Sequence, residues 1–160
     1  MEIEMSKMFP RKPALGRALL LAAAMAGGLA ACATGRISDD ERLAIYRANA
    51  GEPVRSFRYF GRLDGWTSLG GSALAVWTRP HEAYLLELGS RCPDLDFAMA
   101  ISITNQGGSV YSRFDKVLPL GQGAAPIPCF IQEIRPLDTR AIKAEEAELR
   151  EAKTAPREDG

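Results

Sequence analysis

From Val54 to Arg135 the chain is a succession of short stretches rich in β-branched and aromatic residues, cut apart by turns rich in glycine and proline. No other feature of the sequence constrains the fold as much. Stretches of this length suit strands and are short for ordinary helices, and glycine allows the backbone conformations that tight reversals need. Val54–Phe60, Trp66–Leu69, Ala73–Thr78 and Ala83–Leu88 read as strands, with a hairpin around Gly70-Gly71. The most regular alternation is Phe97–Thr104. Phe97, Met99, Ile101 and Ile103 fall on one side, and Ala98, Ala100, Ser102 and Thr104 on the other, so a strand with its apolar side buried is expected. Ser109–Leu118 is expected as one strand, with Val110, Ser112 and Phe114 opposite Tyr111, Arg113, Asp115 and Val117. Pro119–Pro128 reads as a loop. Cys129–Arg135 reads as the last strand, with Phe130 and Ile134 opposed to Cys129 and Ile131.

Helical signals flank this β region. Ser38-Asp-Asp-Glu41 has the S-x-x-E form of a capping box ahead of Leu43, Ile45 and Tyr46, and predicts a helix over Asp39–Asn49, ended near Gly51 and Pro53. Asp138 or Thr139 caps a second helix running to about Lys153, with Glu146 and Arg150 at i,i+4. The expected fold is therefore mainly β (α+β). It is a small antiparallel barrel or curved sheet of six or seven strands, with a short N-terminal helix and a C-terminal helix. One globular domain over 39–153 is expected, followed by a frayed tail, 154–160.

The segment before this domain reads as a targeting signal. Arg11, Lys12 and Arg17 precede the apolar run ALLLAAAMAGGLAACA, residues 18–33, which is short of a spanning helix and ends in small residues. The competing reading, a buried helix, is weakened by Gly27 and Gly28. Glu2 and Glu4 suit such a signal poorly, which leaves Met5 or Met8 as an alternative start. Leu29-Ala30-Ala31-Cys32 resembles a bacterial lipobox. That resemblance implies cleavage after Ala31, a diacylglyceryl group on the Cys32 thiol and an acylated new amino terminus. Ordinary signal cleavage nearby and an uncleaved anchor are the alternatives. Several acyl chains on one residue hold a protein stably, where one chain holds it marginally. Ala33, where aspartate would favour the inner membrane, points to an outer-membrane lipoprotein facing the periplasm by the same resemblance. Residues 1–31 would thus be the signal and 32–38 the lipidated N-terminus and tether.

Cys92 and Cys129 then remain. In the oxidising compartment that the signal implies, two such cysteines most often pair as a structural disulfide. Free buried thiols are the alternative. No C-x-x-C motif favours redox chemistry, and one histidine in the chain gives no paired metal-ligand spacing.

Composition narrows the function. The chain is 46% hydrophobic and 25% charged, ordinary for a globular protein. Residues 1–31 hold four basic and two acidic groups; the remaining 16 basic and 18 acidic groups leave a net charge of −2. That is no footprint for nucleic acid and no basic surface for anionic lipid. Recognisable catalytic motifs are missing. His81, after Pro80, suits a solvated turn better than a general base, and Asp94 with Asp96 suits a polar turn better than an acid pair. Gly121-Gln-Gly123 is not followed by a helix start, so it does not suit a phosphate cradle. Arg113, Asp115, Glu133 and Arg135 occupy alternating positions on strands that can be neighbours. They form either a cross-strand charge ladder at a binding face or simply the wet face of a half-buried sheet. Trp66, Trp77 and Tyr84 either line a groove for a peptide or glycan or pack in the core.

Five stretches, in this order and spacing, resemble an uncharacterised family of small proteobacterial lipoproteins known only as a domain of unknown function. They are Ala50-Gly-Glu-Pro-Val-Arg-Ser-Phe57, Asp64-Gly-Trp66, Cys92-Pro-Asp-Leu95, Arg113-Phe-Asp-Lys116 and Cys129 through Ile134-Arg-Pro-Leu-Asp138. The resemblance covers roughly residues 40–140 and supports both the lipobox and the cysteine pair. It implies no activity, ligand or catalytic residue. The functional expectation is a lipid-anchored periplasmic protein, a non-enzymatic binding or structural module of the envelope. It would use no cofactor or metal, and its partners would be the membrane and an envelope protein or glycan. A small envelope-associated hydrolase is the alternative.

Overall fold

The computed structural model describes residues 36–121 and 125–155. The signal-like run, Cys32 and the end of the tail lie outside them. Helix α1 is Asp39–Ala48. Eight strands follow: β1 Ser56–Arg58, β2 Gly65–Ser68, β3 Ala73–Arg79, β4 Glu82–Leu88, β5 Ala100–Ile103, β6 Ser109–Tyr111, β7 Lys116–Leu120 and β8 Cys129–Leu137. A single 3₁₀ turn, Leu95–Phe97, precedes β5, and helix α2 is Thr139–Thr154. The capping box forms as expected: Glu41 N–H donates to Ser38 Oγ, and Ser38 N–H donates to the Glu41 carboxylate.

Six strands make one antiparallel sheet in the order β2-β3-β4-β8-β7-β5, and β1 pairs with β6 in a second, two-stranded sheet. The mainly β expectation with a helix at each end holds. A closed barrel does not form, because the larger sheet ends in β2 on one side and β5 on the other.

Each side of the large sheet carries its own core. Phe57, Leu74, Val76, Leu86, Leu95, Val110, Val117, Ile131 and Ile134 are buried together on the side where β1 and β6 pack. On the other side Ala73, Ala75 and Leu85 meet Leu43, Ile45 and Tyr46 of α1 and Ile142 of α2. Alanines there let the helix backbones come close to the sheet, and alternation along β3 sends Leu74 and Val76 to the opposite core. Glu87 and Glu133 pair directly across β4 and β8 on the helix side. Like charges so placed repel. Arg47 of α1 answers Glu87 with two hydrogen bonds, Nε at 2.7 Å and Nη2 at 2.8 Å.

Three period-two expectations break, each at a local irregularity. Phe97 lies in the 3₁₀ turn and Met99 beside a bulge, where Met99 N–H donates to Leu120 O although Ala100 is the residue paired with Leu120. Both side chains are exposed, 84% and 78%, instead of buried with Ile103. Ser109–Leu118 is not one strand: a turn over Ser112–Phe114 separates β6 from β7, and β7 runs on through Pro119 to Leu120 into the expected loop. In β8, pairing passes from Glu133 opposite Glu87 to Ile131 opposite Leu88, leaving Gln132 as an extra residue. That bulge reverses the parity, so Cys129, Ile131 and Ile134 all enter the same core, and the expected opposition of Ile134 to the other two is corrected.

Cys92 and Cys129 form a disulfide with a Cα–Cα distance of 5.9 Å. It ties the loop after β4 to the first residue of β8, within the core on the β1–β6 side.

Candidate functional site

Asp115 is the centre of the polar structure at one corner of the domain. It is 1% exposed. Its Oδ1 accepts from Thr104 Oγ1 and its Oδ2 from the Tyr111 amide, each at 2.7 Å. Lys116 N–H in turn donates to Thr104 Oγ1 at 2.9 Å. The main chain of Asp115 is held as well: its N–H donates to Tyr111 O, and its C=O accepts from Ile131 N–H, both at 3.0 Å. One carboxylate therefore fastens the end of β5, the end of β6 and the start of β7. This position, expected on a wet face, is buried because the turn Ser112–Phe114 changes the direction of the chain just before it.

The same turn sets Arg113. Its N–H donates to Ile131 O at 2.6 Å, and its φ is +64°. Among the described residues every other positive φ belongs to a glycine. The left-handed region is costly for a residue with a Cβ. Ser112, just before it, donates from both N–H and Oγ to Arg55 O, at 3.0 and 3.3 Å. Arg55 and Arg113 are thereby brought onto one cleft of about 440 Å³, lined also by Pro53, Tyr111, Gln132 and Glu133. The cleft lies where the segment entering β1, the end of β6 and the bulge of β8 meet.

The charge ladder does not form. Arg113 is on a turn, and Asp115 is buried. Arg135 donates from Nε to Gly51 O at 2.8 Å and from Nη2 to Ala50 O at 3.1 Å, tying α1's exit to β8. Glu133 stands at 4.0 Å from Arg135 Nε. Of the four, Arg113 and Glu133 line that cleft, and Asp115 and Arg135 do not. Trp66, Trp77 and Tyr84 make no common groove either. Trp66 packs against the core on the β1–β6 side and Trp77 against the helix-side core, where it meets Tyr46 edge-on at 6.4 Å between ring centroids. Tyr84 stacks on Phe57 at 4.6 Å.

His81 is exposed and lines a shallow surface hollow with Pro136 and Arg140. Asp96 accepts from Ser68 Oγ at 2.7 Å. Asp94 lines a different hollow, beside Phe97 and Pro119. Among the described residues no group of three or more His, Cys, Asp or Glu side chains is placed to hold a metal, and no helix is long and apolar enough to cross a membrane.

A second surface lies at the far end of the large sheet. Helices α1 and α2 pack over the β3–β4 part of one face. On that face at the β5–β7 end, Leu120 and Phe130 are exposed, with Lys116 Nζ 4.7 Å from the centre of the Phe130 ring. The outer edge of β5, with no pairing strand among the described residues, runs alongside, with Phe97 and Met99 at its start. Sequence periodicity pointed away from this surface, since it assigned Phe97 and Met99 to the core. Arg55 was missed because nothing in its spacing marks it; only its place in the Ala50–Phe57 stretch drew notice.

A mainly β domain with two helices, tied by one disulfide, is thus the class that the fold defines. The chain belongs to DUF6491, a family of unknown function whose model matches residues 16–153. Nothing matches it among curated proteins or among solved structures.

Proposed function

We propose that this protein is a lipid-anchored, non-enzymatic binding module of the cell envelope that receives a protein partner as an added strand on β5. The observation that carries the reading is the β5 edge. Ala100–Ile103 ends the large sheet, contains no charge and no proline, and is bordered by the exposed Phe97 and Met99. Natural edges are usually guarded by charges, prolines or covering elements, and an unguarded one is a template for a further strand. Exposed large apolar groups beside it supply contact area of the kind that marks interaction sites. Phe130, 53% exposed, and Leu120 extend that area onto the adjoining face.

The anchor rests on Leu29-Ala-Ala-Cys32 after its basic-flanked apolar run. The Cys92–Cys129 disulfide supports an oxidising compartment for the domain. Ile37 is buried and Arg36 O accepts from Lys153 Nζ, so the tether shortens to Ala33–Gly35, roughly 10 Å if extended, and a lipidated Cys32 keeps the domain near the bilayer. Ala33 after the cysteine favours the outer membrane and a periplasmic orientation.

Two measurements test the reading. Mass spectrometry of the mature N-terminal peptide is expected to find diacylglyceryl and acyl groups on Cys32. Release of the protein from membranes by Cys32→Ser agrees with this, whereas an unmodified Cys32 refutes the anchor. For the edge, photo-crosslinking from position 102 in intact cells is expected to capture a partner, and Ala100→Lys to abolish capture without lowering the melting temperature. Capture unchanged by Ala100→Lys refutes binding at the edge.

A further inference from the structure

We infer that the cleft lined by Arg55 and Arg113 is a binding site for an anionic group, a carboxylate or a phosphate, separate from the β5 edge. Three observations carry this. First, the cleft is built from three elements and is about 440 Å³ in volume. Second, the main chain of both arginines is fixed: Ser112 holds Arg55 O through two hydrogen bonds, and Ile131 O holds Arg113 N–H. Their guanidinium groups have no ion-pair or hydrogen-bond partner among the described residues; Arg36, Arg58, Arg62, Arg91 and Arg140 are likewise unpaired there, but Arg55 and Arg113 line one cleft together. Third, Arg113 occupies a backbone conformation that glycine holds at every other such position described.

The third observation gives the others their weight. A glycine at 113 would relieve the backbone at no loss of any described side-chain hydrogen bond or ion pair. Strain that persists at a polar surface position is characteristic of binding and catalytic residues. What an arginine adds there is a planar fork of donors suited to the two oxygens of a carboxylate or phosphate. Arg55 places a second fork on the same cleft. Tyr111 and Gln132 can donate to the same anion, and Glu133 can accept from a hydroxyl or ammonium group beside it.

The test is a titration of the protein, labelled with ¹⁵N-arginine, with inorganic phosphate in one arm and acetate in another, at constant ionic strength set by chloride. Arginine Nε–Hε resonances are the readout, assigned with Arg55→Gln and Arg113→Gln. Saturable shifts at Arg55 and Arg113 in the phosphate arm alone assign a phosphate site, and in the acetate arm alone a carboxylate site. Shifts in both arms assign a general oxyanion site. Arg113→Gly is expected to raise the melting temperature and to weaken binding at least tenfold, as read from the Arg55 resonance. No saturable shift in either arm, or binding undiminished in Arg113→Gly, overturns the inference. Neither arm depends on β5 or on the lipid, so its failure is distinct from failure of the envelope reading.

Discussion

Thr104 Oγ1 donates to Asp115 Oδ1 across 2.7 Å, joining the residue after β5 to the residue before β7 at a carboxylate 1% exposed. Hydrogen bonds to a carboxylate are worth more than those between neutral groups, and a buried donor left without an acceptor is costly. Asp115→Ala is therefore expected to lower stability by about 2–4 kcal/mol in urea denaturation, because the Tyr111 amide also loses its acceptor. Thr104→Val should cost about 1–2 kcal/mol, and the double variant should cost less than the sum. An Asp115→Ala variant as stable as the parent would show that the corner is held elsewhere.

Ala75 is fully buried between the sheet and the helices. Enlarging it to leucine pushes α1 and α2 off Ala73 and Leu85. The expected loss is about 1–3 kcal/mol by chemical denaturation. Leu120→Ala at the exposed β5–β7 end should change stability by less than about 0.5 kcal/mol, since its side chain is 39% exposed.

The Cys92–Cys129 bridge spans 37 residues of sequence. Closing a loop of that size restricts the unfolded chain by about 4 kcal/mol in the chain-entropy model. Reduction should lower the melting temperature of the parent and leave a Cys92→Ser, Cys129→Ser variant unmoved. Equal melting with and without reductant would mean that the bond adds nothing to stability.

Lys153 Nζ and Ser38 both hydrogen-bond the Glu41 carboxylate and hold it down to about 2 from an ordinary value of 4.5. A carboxyl with a depressed folded-state pKa stabilises fully above its unfolded value and loses that contribution as pH falls toward the folded one. Glu41→Gln keeps a capping-box acceptor but removes the charge. It should melt below the parent at pH 6, with the difference shrinking from pH 4.5 and nearly gone at pH 2. A difference independent of pH across that window would assign the effect to the cap alone.

Helix starts were legible because their signals are local. Ser38, Glu41 and Asp138 make their capping contacts within three residues, and the structure contains each of them. Most strands of the β2–β3–β4 meander were legible for the same reason: a glycine turn and a period of two are enough. Phe97, Met99 and Ile134 were not. Each lies beside a 3₁₀ turn or a bulge, and one extra residue sends every side chain beyond it to the other face. The bulges are set by pairing with Leu120 and Glu87, which are distant in sequence.

By itself, then, the sequence determined a mainly β domain between two capped helices, the two cysteines available to pair, and the apolar run that ends in Cys32. Those follow from residue types and short spacings. Only the tertiary structure decided that β2 and β5 are the edges of the large sheet, that Asp115 is buried while Phe97 is not, and that Arg55 and Arg113 share a cleft. Burial and proximity of this kind depend on how strands far apart in the chain come to lie side by side. A two-residue period sets which faces alternate but cannot choose which face meets the core.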